Sequence, residues 1–110
     1  MANTFKNSIA SAVGTSEVDV YTVPSATTTT VIGFTVANIH TSNIVVDIKV
    51  TDASTSGTAY LIKGATVPVG GGLVPIGGDQ KLVLEQSDVI SVTSNTASSA
   101  DVIVSVLEQG

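Results

Sequence analysis

Cysteine, tryptophan and arginine are absent from the 110 residues, and histidine occurs once, as His40. Without cysteine there can be neither a disulfide framework nor a thiolate zinc site. Four lysines stand against nine acidic residues, for a net charge of −5. Nucleic-acid binding draws on clustered cations that displace phosphate counterions, and no such cluster is present, so a nucleic-acid partner is not expected. The acidic balance also opposes an anionic membrane surface. No apolar run approaches the roughly 18 residues of a transmembrane helix, so no membrane partner is expected. The opening MANTFKNSIASAV has one lysine and no continuous apolar core. It does not read as a secretory signal, and the expectation is a soluble chain made without a cleavable leader.

Charge of either sign is also scarce. Charged residues are 12% of the chain, about half the usual quarter, while hydrophobic residues reach 43%. Ser, Thr, Gly and Asn take the place of the missing charges. A surface solvated by hydroxyls suits a protein that lies against other proteins or stands on a particle, and is common in secreted β proteins too.

What is present is a series of short aliphatic ribbons with period-two alternation, the mark of half-buried strands. Glu17–Val23 alternates Val18 and Val20 with Glu17, Asp19 and Tyr21, and stops at Pro24. Thr28–His40 places Ile32, Phe34 and Val36 on one face and Val31, Gly33 and Thr35 on the other. Ile44–Asp52 is the cleanest ribbon, with Ile44, Val46, Ile48 and Val50 on one face. Thr58–Lys63 follows a polar loop. Ala65–Val69 and Leu73–Ile76 each carry a proline, which places them at a sheet edge or on a crossing between sheets. Around Gln80–Leu84 and Val89–Thr93, two ribbons flank Glu85-Gln86-Ser87-Asp88 and read as a β-hairpin. Asp101–Glu108 supplies a last strand, with Val102, Val104 and Val106 on one face.

Phe5, Ile9 and Val13 are spaced by four. Residues 1–13 therefore read as an N-terminal arm ordered by a partner, a short helix, or a first edge strand. The remaining seven to nine strands, without a credible long helix, predict a single domain over residues 1–110. Its class is all-β, a two-sheet antiparallel sandwich of jelly-roll type, with an immunoglobulin-like sandwich as the alternative. The immunoglobulin hallmark of a core tryptophan between two cysteines is missing.

Chemistry-bearing sets are thin. Any histidine mechanism must run through His40, with Asp47 or Asp52 as formal partners, but no G-x-S-x-G elbow exists. Glycoside hydrolysis would need a selected carboxylate pair, and only Tyr21, Tyr60, Phe5 and Phe34 could line a sugar cleft. Asp52, Asp79, Asp88 and Asp101 fall in loops, without the D-x-D-x-D-G run of a calcium loop. Gly70–Gly78 matches neither phosphate-loop pattern. Glycine there suits unusual φ or a close approach of another chain. No enzyme, cofactor or metal is expected. What remains is interaction through sheet edges and the polar arm. Asn3, Phe5, Ile9, Pro68, Gly71 and Pro75 are the residues expected to meet partners.

The order of segments resembles small virion structural proteins of tailed bacteriophages. Their pattern falls on Val20-Tyr21-Thr22-Val23-Pro24, then Val36-Ala37-Asn38, then Val83-Leu84-Glu85 with Asp88-Val89-Ile90. It runs from about Val13 to the C-terminal strand, and Ser87 stands where such proteins often have glycine. The resemblance implies a contact role on a virion, foremost a capsid decoration (cement) protein. Its partners would be the major capsid protein and further copies of itself, as a homotrimer or other homo-oligomer. Its place would be the capsid surface after synthesis in the host cytoplasm. A neck, tail or fibre module is the alternative within the same virion, and a carbohydrate-binding module a more distant one.

Overall fold

The computed structural model describes residues 3–76 and 81–110. β-Branched residues fill the alternating ribbons, and their stiff side chains pack best on an extended, pleated backbone. Nine strands result among the described residues: β1 (Asn3–Val13), β2 (Val18–Thr22), β3 (Thr28–Asn38), β4 (Ile44–Asp52), β5 (Gly57–Val67), β6 (Gly72–Ile76), β7 (Leu82–Leu84), β8 (Val89–Ser94) and β9 (Ala100–Gln109).

The chain is a long antiparallel ribbon doubled back at the β4–β5 turn. β4 pairs β5, β3 pairs β6 and β7, β2 pairs β8, and β1 pairs β9. Rolling that ribbon brings β9 beside β3 and β8 beside β4. One sheet then runs β1-β9-β3-β6, with β7 also on β3, and the other runs β2-β8-β4-β5. This is the jelly-roll wrapping; the immunoglobulin strand order is a different one. We call the two layers sheet A and sheet B.

Between the layers lies an aliphatic core. Its largest fully buried side chains are Phe34, Ile44, Ile48, Ile76, Leu84 and Ile90, closed by a set of valines that includes Val102, Val104 and Val106. Removing such side chains from water is the main favourable term in folding, at roughly 1.5–3 kcal/mol each.

Several expectations change. Of the three readings for the N-terminal segment the structure realises the first edge strand: Asn3–Val13 form β1, in register with β9. A spacing of four suits a strand as well as a helix, since every second residue of a strand shares a face. Phe5 and Ile9 share the outer face, and a register shift between Ala10 and Val13 turns Val13 into the core. The expected hairpin is a corner instead: β7 belongs to sheet A and β8 to sheet B. The expected start of its first ribbon, Gln80, lies outside the described residues, as does Asp79. The two segments Thr58–Lys63 and Ala65–Val69 largely merge into the single edge strand β5, with Pro68 just beyond it. Pro75 sits in the edge strand β6.

Two faces are also re-phased by bulges, each of which inserts a residue and inverts the faces on its far side. The shift between Val31 and Gly33 leaves Ile32 exposed and buries Val31 together with Phe34 and Val36. The shift between Asp19 and Tyr21 buries Val20 and Tyr21 side by side, although alternation assigned Tyr21 to the outside.

Candidate interaction surface

The polar side chains that could carry chemistry are mostly engaged by the fold itself. Tyr21, on sheet B, reaches across the core to sheet A. Its hydroxyl donates to Glu108 Oε2 at 2.5 Å and lies 2.8 Å from Thr29 Oγ1. Glu108 Oε1 accepts from Lys6 Nζ at 3.2 Å. Burial, aided by the carboxylate, pushes the Tyr21 hydroxyl up to about 12. The bond from Tyr21 holds the Glu108 carboxyl below the usual carboxylate range; burial opposes this and Lys6 assists it. The group is a polar pin between the sheets, since a buried polar atom must be paired to be tolerated.

Asn38 closes the opposite end. Its Nδ2 donates to the carbonyls of Ser42 and Val67, and its Oδ1 accepts the His40 backbone N–H at 2.8 Å. His40 itself lies half-buried in the turn after β3. Asp88 holds the β7–β8 corner: Oδ1 accepts from Ala53 N–H at 3.0 Å, and Oδ2 from Glu85 N–H at 2.9 Å. The corner backbone is tied to Val23 in both directions, with Val23 N–H donating to Asp88 and Ser87 N–H donating to Val23. Tyr21, Asn38 and Asp88 are therefore structural pins.

Of the aspartates considered for calcium, Asp52 and Asp88 do converge, with Glu85 as a third carboxylate within 4.8 Å. Glu85 also lines an open recess of about 430 Å³ between the β4–β5 turn and the corner, together with Ala53, Ser54, Gln86 and Ser87. Both Asp88 oxygens are already occupied by backbone donors, and Asp52 Oδ1 accepts from Ser54 N–H and Oγ. These bonds hold the two loops in place. Asp101 lies elsewhere and accepts Ala12 N–H at 2.8 Å.

The glycine-rich loop divides by residue. Gly70 has φ +73°, the left-handed region glycine enters without strain. Gly71 packs on its own chain: a Cβ there would meet Pro68 Cγ at 3.0 Å, and its N–H donates to the Pro68 carbonyl. For Gly71 the close approach is thus internal. Pro68 is exposed and Pro75 half-buried.

The outer faces of the two sheets differ sharply. On sheet A, register aligns Phe5, Leu107, Thr30 and Val83 in one row, and Ile9, Ile103 and Thr35 in another. Asn7, Ser105 and Gly33 lie between them. Phe5 is 74% exposed, Ile9 61%, Val83 62% and Val74, on the neighbouring edge strand, 64%. Among the outward positions of the described strands of this sheet, the charged one is Asp101. It borders a shallow depression of about 150 Å³ formed with Ile9, Ser11, Thr35, Ala37 and Ile103. On sheet B, Asp19, Ser91, Lys49 and Tyr60 form a row. Lys49 pairs with Glu17 at 2.7 Å, and Lys63 lies 4.0 Å from Asp47 and 4.2 Å from the centre of the Tyr60 ring.

Of the six residues expected to meet partners, Asn3, Phe5 and Ile9 share the outer face of sheet A; Pro68 and Gly71 lie in the β5–β6 turn, and Pro75 in the edge strand. Val74, Val83 and Ile103 were missed by sequence reasoning. Their outward aim depends on register, which alternation within one strand does not reveal. No protein-family model matches the chain, and a search of curated proteins finds no match.

Proposed function

We propose that the protein is a structural contact protein of a phage particle, and most specifically a capsid decoration protein. It would lay the outer face of sheet A on the major capsid lattice. The observation that carries this reading is the asymmetry of the faces. One side of a rigid sandwich is apolar and almost uncharged, while the opposite side is charged and suited to water. Exposed apolar patches of this kind mark contact surfaces. The order of the Tyr21, Asn38 and Asp88 segments supplies the phage connection. A decoration protein acts by burying surface across subunit joints, so that rupture of the shell must also break those contacts. Binding only the assembled lattice stabilises it by mass action.

The test is the copy number and position of the chain in purified parent particles, by quantitative mass spectrometry and cryo-electron microscopy. Copies on the order of hundreds over the head surface are expected from the resemblance. Density confined to the neck, tail or fibres would overturn the decoration reading in favour of the alternative virion role, and absence from the particle would overturn both.

A further inference from the structure

We propose that the free edge of β1 is a two-fold self-association site that pairs with β1 of a second copy. An open sheet edge presents unpaired N–H and C=O groups, and proteins that stay apart blunt such edges. Among the described strands, three of the four edges are blunted. β2 is short, carries a bulge, and has the Val20 carbonyl taken by Ser8 Oγ. β5 has two register shifts and Gly64 at φ +73°. The far edge of sheet A is built of the short pieces β6 and β7, and β6 contains Pro75. β1 differs: Asn3 to Ala10 run in unbroken register with β9 and contain no proline. Their one charge, Lys6, is paired with Glu108 of its own chain.

The sequence of the edge selects the occupant. An antiparallel pair with its two-fold axis at Asn7 sets Phe5 opposite Ile9 of the second copy, and Ile9 opposite Phe5. Asn7 then meets Asn7, while Lys6 meets Ser8. Large apolar cross-strand pairs stabilise a sheet, and like charges set opposite destabilise it. Shifting the axis by one residue toward the N-terminus would bring Lys6 against Lys6. Shifting it the other way would set Phe5 against Ser11 and Ile9 against Asn7. The Asn7 register thus joins the two most exposed large apolar residues of the strand and keeps the lysines apart. Such an isologous contact closes after two copies. The axis is perpendicular to the sheet, so both apolar outer faces come to lie on one side as a single wider platform. The pairing rests on the edge and its sequence and holds whichever particle the protein joins.

Sedimentation equilibrium on the purified chain tests it. A species of twice the 11.0 kDa chain mass is expected. Ile9→Glu should weaken the dimer on the order of a hundredfold by setting a carboxylate against Phe5. Asn7→Asp, which places two carboxylates at the axis, should weaken it by an independent route. The combination Phe5→Lys with Ile9→Glu should restore the dimer at low salt, because each introduced lysine then faces an introduced glutamate across the axis. A wild-type monomer, a trimer, or a dimer indifferent to both single substitutions would overturn the proposal. So would a double variant no more associated than Ile9→Glu alone.

Discussion

The outer faces of sheets A and B are built from the same alternating ribbons, yet one is left apolar and the other is charged. On sheet B, Glu17, Asp19, Asp47, Lys49 and Lys63 occupy or border the outward positions, and Lys49 and Lys63 find carboxylates there. On sheet A the corresponding positions hold Phe5, Ile9, Val83 and Ile103. Nothing in the core demands this difference, because both inner faces bury aliphatic side chains equally well. Core packing therefore leaves the composition of each outer face free to differ. The proposed contact role rests on this difference between the two faces.

Substitutions that exchange the character of the faces should break the comparison most clearly. Val83→Asp, on the same outer face but away from the β1 edge, is expected to weaken binding to the parent particle roughly a hundredfold, the loss typical of a buried anchor, with little change in melting temperature. Tyr60→Ser, on the opposite face, should leave particle binding within about twofold. Equal losses in a pelleting assay would remove the distinction between faces.

The internal pins sharpen the contrast from the other side, since they should alter stability and leave binding of the folded protein unchanged. Asp88→Ala strips the acceptors from Ala53 and Glu85 N–H and should cost about 2–3 kcal/mol in chemical denaturation. Tyr21→Phe should cost about 1–2 kcal/mol by removing the bonds to Glu108 and Thr29.

The same pin sets pH limits. The Glu108 carboxyl titrates lower in the folded chain, so its stabilisation is present above the ordinary carboxylate range and is lost as pH falls through the depressed value. The Tyr21 hydroxyl titrates higher, so its stabilisation is full below pH 10 and is lost as pH rises toward about 12. Glu108→Gln should flatten the acid limb of a stability–pH profile, and Tyr21→Phe the alkaline limb. Unchanged limbs would deny the pin its role.

The smallest effect is expected at Ser87, which holds φ +69° in the β7–β8 corner. Ser87→Gly should relieve left-handed strain and raise stability by about 0.5–1 kcal/mol, without altering particle binding. A destabilised variant would show that the hydroxyl matters more than the backbone.

Much of this architecture could be read from the sequence where alternation runs uninterrupted. Ile44, Val46 and Ile48 in β4, and Val102, Val104 and Val106 in β9, are buried as their spacing predicts. The bulges at Val20 and Ile32 were not legible, because an inserted residue leaves the composition of a ribbon unchanged while inverting the faces beyond it. In sequence the corner at Glu85–Asp88 is indistinguishable from a hairpin for a related reason. Two ribbons joined by a polar turn look alike whether the second pairs with the first or crosses to the other layer. What decides it is a contact with Ala53, 35 residues away, and another with Val23. Of the apolar outer face of sheet A, Asn3, Phe5 and Ile9 were accessible from the sequence. Val83 and Ile103 became part of it only when register aligned them with Phe5 and Ile9.

Hydroxyl-radical footprinting of the free protein and of the protein on its particle compares both faces in one experiment. Phe5, Ile9 and Val83 should lose most of their reactivity on assembly, while Tyr60 keeps its own. Protection of Tyr60 with Phe5 and Ile9 unchanged would contradict the assignment of the apolar face of sheet A as the contact surface.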